Sequence, residues 1–286
     1  MAQIVACANQ KGGVGKTTTV VNLGTYLALS TERVLVIDLD PQGNATSGFG
    51  LDRSTIDRSI YDGIAGEAGL MELRRSTSVD GLDLVPSAIA LAGAEVELAS
   101  VSQRERQLAR LIDGATDEYD YVLIDCPPSL GLLAVNALTA ADAVLIPIQC
   151  EYYALEGLTQ LIATVNLVRD HLNPKLTVKG VLLTMYDPRT NLSAQVGSEV
   201  RRHLGGAVFD SVIPRSVRLS EAPSHGLPIE FYRPDSKGAE AYRALAAEVR
   251  KRDDRPSSAF ERPESSQAPS PGRRLGEAVA DVVGAR

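Results

Sequence analysis

Residues 10–18 read Gln10-Lys11-Gly12-Gly13-Val14-Gly15-Lys16-Thr17-Thr18. An apolar run at 4–8 precedes them and an amphipathic run at 19–29 follows, so the local order is strand, glycine loop, helix. In such a loop the backbone N–H groups turn inward as an anion cradle, and the helix N-terminus adds its partial positive charge. Lys16 then reaches the β- and γ-phosphates of a nucleoside triphosphate, and the Thr17 hydroxyl ligates Mg²⁺. The strict phosphate-loop pattern asks for glycine at position 10, where this chain has Gln10. What stands instead is K-G-G-x-G-K-T-T, with a second lysine, Lys11, at the start of the loop.

Two acidic elements accompany the loop. Asp38-Leu39-Asp40-Pro41-Gln42-Gly43-Asn44 closes the second apolar run, and a rigid turn through Pro41 and Gly43 can hold a carboxylate near Mg²⁺ or the attacking water. Val122-Leu123-Ile124-Asp125 is an apolar strand ending in an acid, the pattern of a Walker B strand, with Asp125 holding Mg²⁺ through water.

Apolar runs at 4–8, 34–38, 82–86, 121–125, 143–148, 179–184 and 212–214 predict strands. Helical periodicity predicts helices at 17–29, 104–112, 132–140, 155–171, 193–204 and 239–251. Near-continuous Val/Ile/Leu strands suit a sheet covered on both faces. The expected fold class is α/β, a P-loop NTPase with a doubly wound, mostly parallel twisted sheet flanked by helices on both faces. Its ligand belongs at the carboxyl ends of the strands.

The chain has 286 residues, 44% of them hydrophobic, which suits one large domain with a sizeable core. No apolar run approaches the roughly 20 residues of a membrane span, and residues 1–3 lead into a strand without a basic, signal-like start, so a cytoplasmic location is expected. Three cysteines, Cys7, Cys126 and Cys150, without C-x-x-C spacing, point to neither disulfides nor zinc. Composition changes near Asp253: a domain over 1–252 gives way to a Pro-, Ser- and charge-rich tail over 253–286, expected to be disordered, with a short amphipathic helix possible at its end.

The loop with its extra lysine resembles the deviant Walker A motif of the ParA/MinD class of P-loop ATPases. The stretches Asp125–Gly131, Gln149–Gly157, Val181–Asn191 and Ile213–Gly226 look like chromosomal ParA, also called Soj, and the resemblance extends through almost all of 1–252. It implies an ATPase with ATP and Mg²⁺ as cofactors. Lys11, Gly12, Gly13, Val14, Gly15, Lys16, Thr17 and Thr18 would bind the phosphates, and Lys11 would cross a dimer interface to the partner's nucleotide. Lys11, Lys16 and Asp40 become the catalytic set, with Asp40 positioning water. Thr17, Asp40 and Asp125 become the metal set. Met185 and Pro214 would contact the base. It further implies an ATP-dependent homodimer that binds double-stranded DNA without sequence preference and acts with a ParB-type partner, associated with the nucleoid. MinD relatives end in a basic amphipathic membrane helix, whereas the C-terminal candidate here carries Glu277 and Asp281, so a membrane role is not expected.

Net charge is −7 and the isoelectric point is near 5.1, an unusual balance for a DNA-binding chain. Residues 169–252, however, carry 14 Lys/Arg against 9 Asp/Glu. Arg189, Arg215 and Arg218 are the expected phosphate contacts, with Arg201, Arg202 and Lys237 behind them.

Overall fold

Strands and helices alternate along most of the chain, the connectivity that builds a parallel sheet. The computed structural model describes residues 2–151 and 154–253. In chain order these form β1 (Gln3–Cys7), α1 (Lys16–Leu29), β2 (Val34–Asp38), α2 (Asn44–Gly48), α3 (Ile60–Ile64), α4 (Leu70–Leu73), β3 (Arg75–Ser76), β4 (Leu82–Val85), α5 (Leu91–Glu97) and α6 (Gln107–Ile112). There follow β5 (Tyr121–Asp125), α7 (Leu132–Ala140), β6 (Ala143–Gln149), α8 (Ala154–His171), β7 (Thr177–Tyr186), α9 (Asn191–Leu204), β8 (Val208–Pro214), α10 (Val217–Glu221), α11 (Ile229–Tyr232) and α12 (Lys237–Asp253). The tail beyond Asp253 lies outside the described residues.

The eight strands form one sheet in the order β3-β4-β2-β5-β1-β6-β7-β8. Every pairing is parallel except β3 with β4. β1 sits centrally between β5 and β6, so the chain turns to opposite sides of β1 after it, and a crevice opens at the carboxyl ends there. The central strands send alternate side chains to two separate cores. Ala6, Leu35, Ile37, Val122 and Ile124 enter one, with residues of α3 to α9. Val5, Cys7, Val34, Val36 and Leu123 enter the other, against α1 and α12. Period-two alternation of wholly apolar strands thus produces the two covered faces. Fully burying a leucine or isoleucine such as Leu35 or Ile37 contributes about 1.5–3 kcal/mol.

Several elements depart from the sequence reading. β3 has two residues and the helices α2 to α5 have four to seven, all too short to show a period. β8 begins at Val208, ahead of the expected 212, because Asp210 and Ser211 interrupt its apolar run. They sit on the sheet's outermost strand, where polar side chains face solvent and both backbone N–H groups donate to Glu248 at 2.9 Å.

At the opposite, amino-terminal edge, the end of α12 is pinned to the sheet. Asp253 accepts from Gln3 Nε2 at 2.9 Å and from the Tyr121 hydroxyl at 2.6 Å, and it pairs with Lys179, which is buried in β7. Lys179 also donates to Gln3 Oε1 at 2.6 Å, so the buried ammonium is both paired and hydrogen-bonded. No described helix is long and apolar enough to cross a membrane.

Candidate functional site

The loop between β1 and α1 wraps over the carboxyl edge of the sheet. Gly13 and Gly15 have φ of 74° and 88°, a left-handed backbone that favours glycine and turns successive N–H groups the same way. α1 begins at Lys16 with no acidic residue in its first turn, so nothing in that turn neutralises its dipole. The loop is braced from beneath. The Thr184 hydroxyl lies 2.8 Å from the Val14 carbonyl and 3.0 Å from that of Ile148. Asn9 donates to the Pro147 carbonyl at 2.7 Å and accepts from Lys11 N–H at 2.9 Å. Lys16 is buried, and its ammonium donates to the Lys11 carbonyl at 3.2 Å.

Lys11 points elsewhere. Its ammonium is 2.7 Å from Glu151, just past β6, and Gln149 holds the same carboxylate through its other oxygen at 2.6 Å. Both partners are 44% exposed, so Lys11 lies at the surface of the protomer.

β2 and β5 pair in register at Asp38 and Asp125, which brings two acids side by side beneath the loop. Asp38 accepts from the Thr46 N–H and hydroxyl, each at 2.7 Å, and from the Asp40 N–H at 3.2 Å. Burial nevertheless holds its carboxyl up at about 6. Burial, then the charge of Asp38, pushes Asp125 well above the ordinary carboxylate range, while Thr17 and Lys16 pull it the other way. Among the described residues, neither Asp125 oxygen, both of them buried, has a hydrogen-bond partner. A desolvated carboxylate with two open oxygens beside a threonine hydroxyl and a phosphate cradle is donor chemistry suited to a hydrated Mg²⁺.

Asp40 occupies the turn that follows. It is buried, its carboxylate accepts from Gln42 N–H at 2.9 Å, and its carbonyl accepts from the Ser87 hydroxyl at 2.7 Å. Ser87 N–H donates to the Thr46 hydroxyl at 3.0 Å, which continues the chain to Asp38.

Beside the loop lies a cavity of about 770 Å³ lined by Gly15, Thr17, Thr18, Asn22, Met185 and Pro214, among others. Met185 and Pro214 therefore stand on one wall of a space continuous with the phosphate loop. Met185 has a φ of 49°, rare for a side-chain-bearing residue. Arg215 is exposed at the same rim, and its N–H donates to the Tyr186 carbonyl at 3.0 Å.

Arg189, Arg202 and Arg218 are engaged locally. Arg189 makes a two-pronged contact with Asp187, at 2.9 and 2.8 Å, holding that carboxyl down at about 2. Arg218 pairs with Glu221 at 2.7 Å, and Arg202 pairs with Glu199. All three acids lie within residues 169–252, so these pairs occupy the arginines individually and leave the local cationic excess unchanged. Sequence reasoning did not assign roles to Thr46, Ser87, Glu151 or Thr184, each of which touches the site from a separate segment.

Comparison with known proteins places this site in a family. A family model described as an AAA domain matches residues 2–178. The sporulation initiation inhibitor protein Soj of Bacillus subtilis is 56% identical over 249 residues, covering 87% of this chain and 98% of that protein. The chromosome partitioning protein ParA of Caulobacter vibrioides is 52% identical, covering 86% and 93%. Among solved structures, a cobyrinic acid a,c-diamide synthase of Mycobacterium smegmatis with bound ADP and magnesium is 39% identical, covers 86% of this chain and 93% of that one, and superposes with a TM-score of 0.76. With both loop lysines and both strand-end acids in place on a doubly wound sheet, the chain belongs to the ParA/Soj family of chromosome-partitioning ATPases.

Proposed function

We propose that this ATPase is a nucleotide-driven dimerisation switch that binds DNA without sequence preference and works with a ParB-type partner in segregating a chromosome or plasmid. The chain is an ATPase of the ParA/Soj type, and ATP with Mg²⁺ is its substrate pair. The observation that carries the switch reading is the division of labour between the two lysines. Lys16 is buried within its own loop, whereas Lys11 lies at the surface and its ammonium is paired with the exposed Glu151 carboxylate, which can let it go.

In this reading the loop N–H groups and Lys16 neutralise phosphate charge within one protomer. The Thr17 hydroxyl and, through water, Asp125 hold Mg²⁺, which when bound offsets charge on the phosphate oxygens. Asp40, fixed by Gln42 and Ser87, orients the attacking water. Lys11 leaves Glu151 for the phosphates of the facing protomer, so the triphosphate is bound best by two subunits together. Met185 and Pro214 flank the base.

Hydrolysis by the protein alone is slow in this reading, because no arginine finger in cis is assigned, and such a residue is worth roughly 10³–10⁵ in rate. A basic segment of the partner completes the site. Nucleoid association follows from DNA binding by the dimer, through Arg189, Arg215 and Arg218.

The test is light scattering with ATP, ADP or no nucleotide, followed by co-sedimentation of the ATP-trapped form with duplex DNA or with anionic liposomes. ATP-dependent dimers that sediment with DNA support the reading. Liposome binding without DNA binding would replace it with a membrane switch of the MinD kind. Turnover at tens per second, unchanged by DNA and partner, would remove the switch altogether.

A further inference from the structure

The turn carrying Asp40 is gripped from both sides. Ser87 takes the Asp40 carbonyl. The next two carbonyls, of Pro41 and Gln42, are both taken by one side chain, Arg53, whose Nη2 is 2.9 Å from the Pro41 oxygen and whose Nη1 bonds the Gln42 oxygen. Arg53 itself is set by a cap, since Asp52 accepts from Ser54 N–H at 2.9 Å and starts the short helical turn Arg53–Thr55.

The contact extends to Gly43. A Cβ there would lie 2.7 Å from Arg53 Cζ and 2.9 Å from its Cδ, closer than side chains approach, and the φ of 62° already favours glycine. Arg53 Nε is buried beside it with no hydrogen-bond partner among the described residues. An arginine that leaves one donor desolvated in order to keep its fork on two successive carbonyls is held by geometry that a point charge could not match.

We propose that Arg53 is a positioning residue for ATP hydrolysis. Its planar fork fixes the Pro41–Gly43 turn and, through it, the Asp40 carboxylate. The proposal rests on the water-orienting role given to Asp40 above. Arg53 acts on the turn's backbone and is assigned no contact with nucleotide, so its loss slows hydrolysis and spares binding. Misplacement of a reacting group by about 1 Å can cost on the order of 10²-fold in rate.

The test uses the full chain with Mg²⁺ and ATP, with and without duplex DNA. The measurements are kcat, KM, the Kd of a fluorescent ADP, the melting temperature, and ATP-dependent dimerisation by light scattering. Arg53→Ala is expected to lower kcat about tenfold or more, with KM and Kd within about twofold of wild type and dimers still forming with ATP. Arg53→Lys recovers part of the rate, because an ammonium can serve one of the two carbonyls. Gly43→Ala lowers the rate in the wild-type background and does less further harm in Arg53→Ala, where the clash is gone.

A kcat within twofold of wild type for both Arg53→Ala and Arg53→Gln overturns the proposal. So does a joint loss of ADP binding and melting temperature in Arg53→Ala with no rescue by lysine, which marks a general scaffold role. Asp40→Ala is assayed in parallel. Loss of hydrolysis there with an unaffected Arg53→Ala rejects the clamp and keeps Asp40, whereas wild-type hydrolysis by Asp40→Ala rejects the underlying reading and the clamp with it.

Discussion

Lys11 and Glu151 face each other across the mouth of the phosphate loop, Nζ 2.7 Å from Oε2. The pair holds the lysine at home, so the proposed dimerisation would have to break it. Exposed pairs of this kind contribute about 0.2–1 kcal/mol. Glu151→Gln is therefore expected to lower the ATP concentration for half-maximal dimerisation about twofold to fivefold, and Lys11→Ala to abolish the dimer. Light scattering against ATP concentration checks both. An unchanged midpoint in Glu151→Gln would mean that the ion pair does not restrain Lys11.

Lys16→Ala is expected to abolish productive ATP binding, because the ammonium lies inside the loop and neutralises charge in the ground state. Asp40→Ala, by contrast, should bind ATP, hydrolyse it slowly and accumulate as a dimer. Size-exclusion chromatography with saturating ATP distinguishes them. A monomeric Asp40→Ala protein would sink the role given to that carboxylate.

The acids beneath the loop couple nucleotide binding to pH. Burial raises Asp38 to about 6 and pushes Asp125 well above the ordinary range, so the nucleotide-free protein holds protons that the unfolded chain has lost. The stability from Asp38 is fully present below the ordinary carboxylate pKa of about 4 and is lost as pH rises through about 6, and that from Asp125 falls in the same direction with rising pH. Mg²⁺ favours the carboxylate form, so binding expels protons. Calorimetry with premixed Mg²⁺ and ATP near pH 6, in buffers of different ionisation heat, should show more proton release by wild type than by Asp125→Asn. Equal release would place the cation away from this pair.

In the proposed DNA complex, phosphates would have to compete with Asp187 and Glu221 for Arg189 and Arg218. Asp187→Asn and Glu221→Gln are expected to tighten binding of the ATP-trapped dimer to unrelated duplexes, each a few-fold. The Arg189→Ala, Arg218→Ala double variant should weaken binding to all sequences alike. Each lost phosphate contact lowers the magnitude of the salt slope by about 0.9, so losing two per subunit in a dimer removes roughly 3.6. A salt series on two unrelated duplexes reads this directly. Unchanged affinity in the double arginine variant would place the DNA surface elsewhere.

The phosphate loop, the Asp38–Asp40 turn and the Asp125 strand were legible because each is a contiguous string whose chemistry is local. The parallel sheet followed from strands apolar on both faces, such as residues 34–38. What braces the site was not legible. Glu151 meets Lys11 across 140 positions, Thr184 meets Val14 across 170 and Ser87 meets Asp40 across 47, and no spacing in one dimension announces such pairs. The charge count over 169–252 likewise does not say which of those cations are paired within the fold. Lys179, Arg250 and Arg252 are spent on Asp253, Glu32 and Glu248 within the fold, and Arg189 and Arg218 carry their own counterions.

The cluster of Gln3, Tyr121 and Lys179 around Asp253 fixes where α12 ends on the sheet. These three residues belong to the amino-terminal parts of β1, β5 and β7, while the phosphate loop caps the far ends of the same sheet. Residue 253 therefore lies at the floor of the molecule, a full strand length from the phosphate loop. If two subunits press their phosphate-loop faces together, their Asp253 clusters lie on opposite outer flanks. A fluorophore or solid support attached there should leave both ATP binding and pairing untouched.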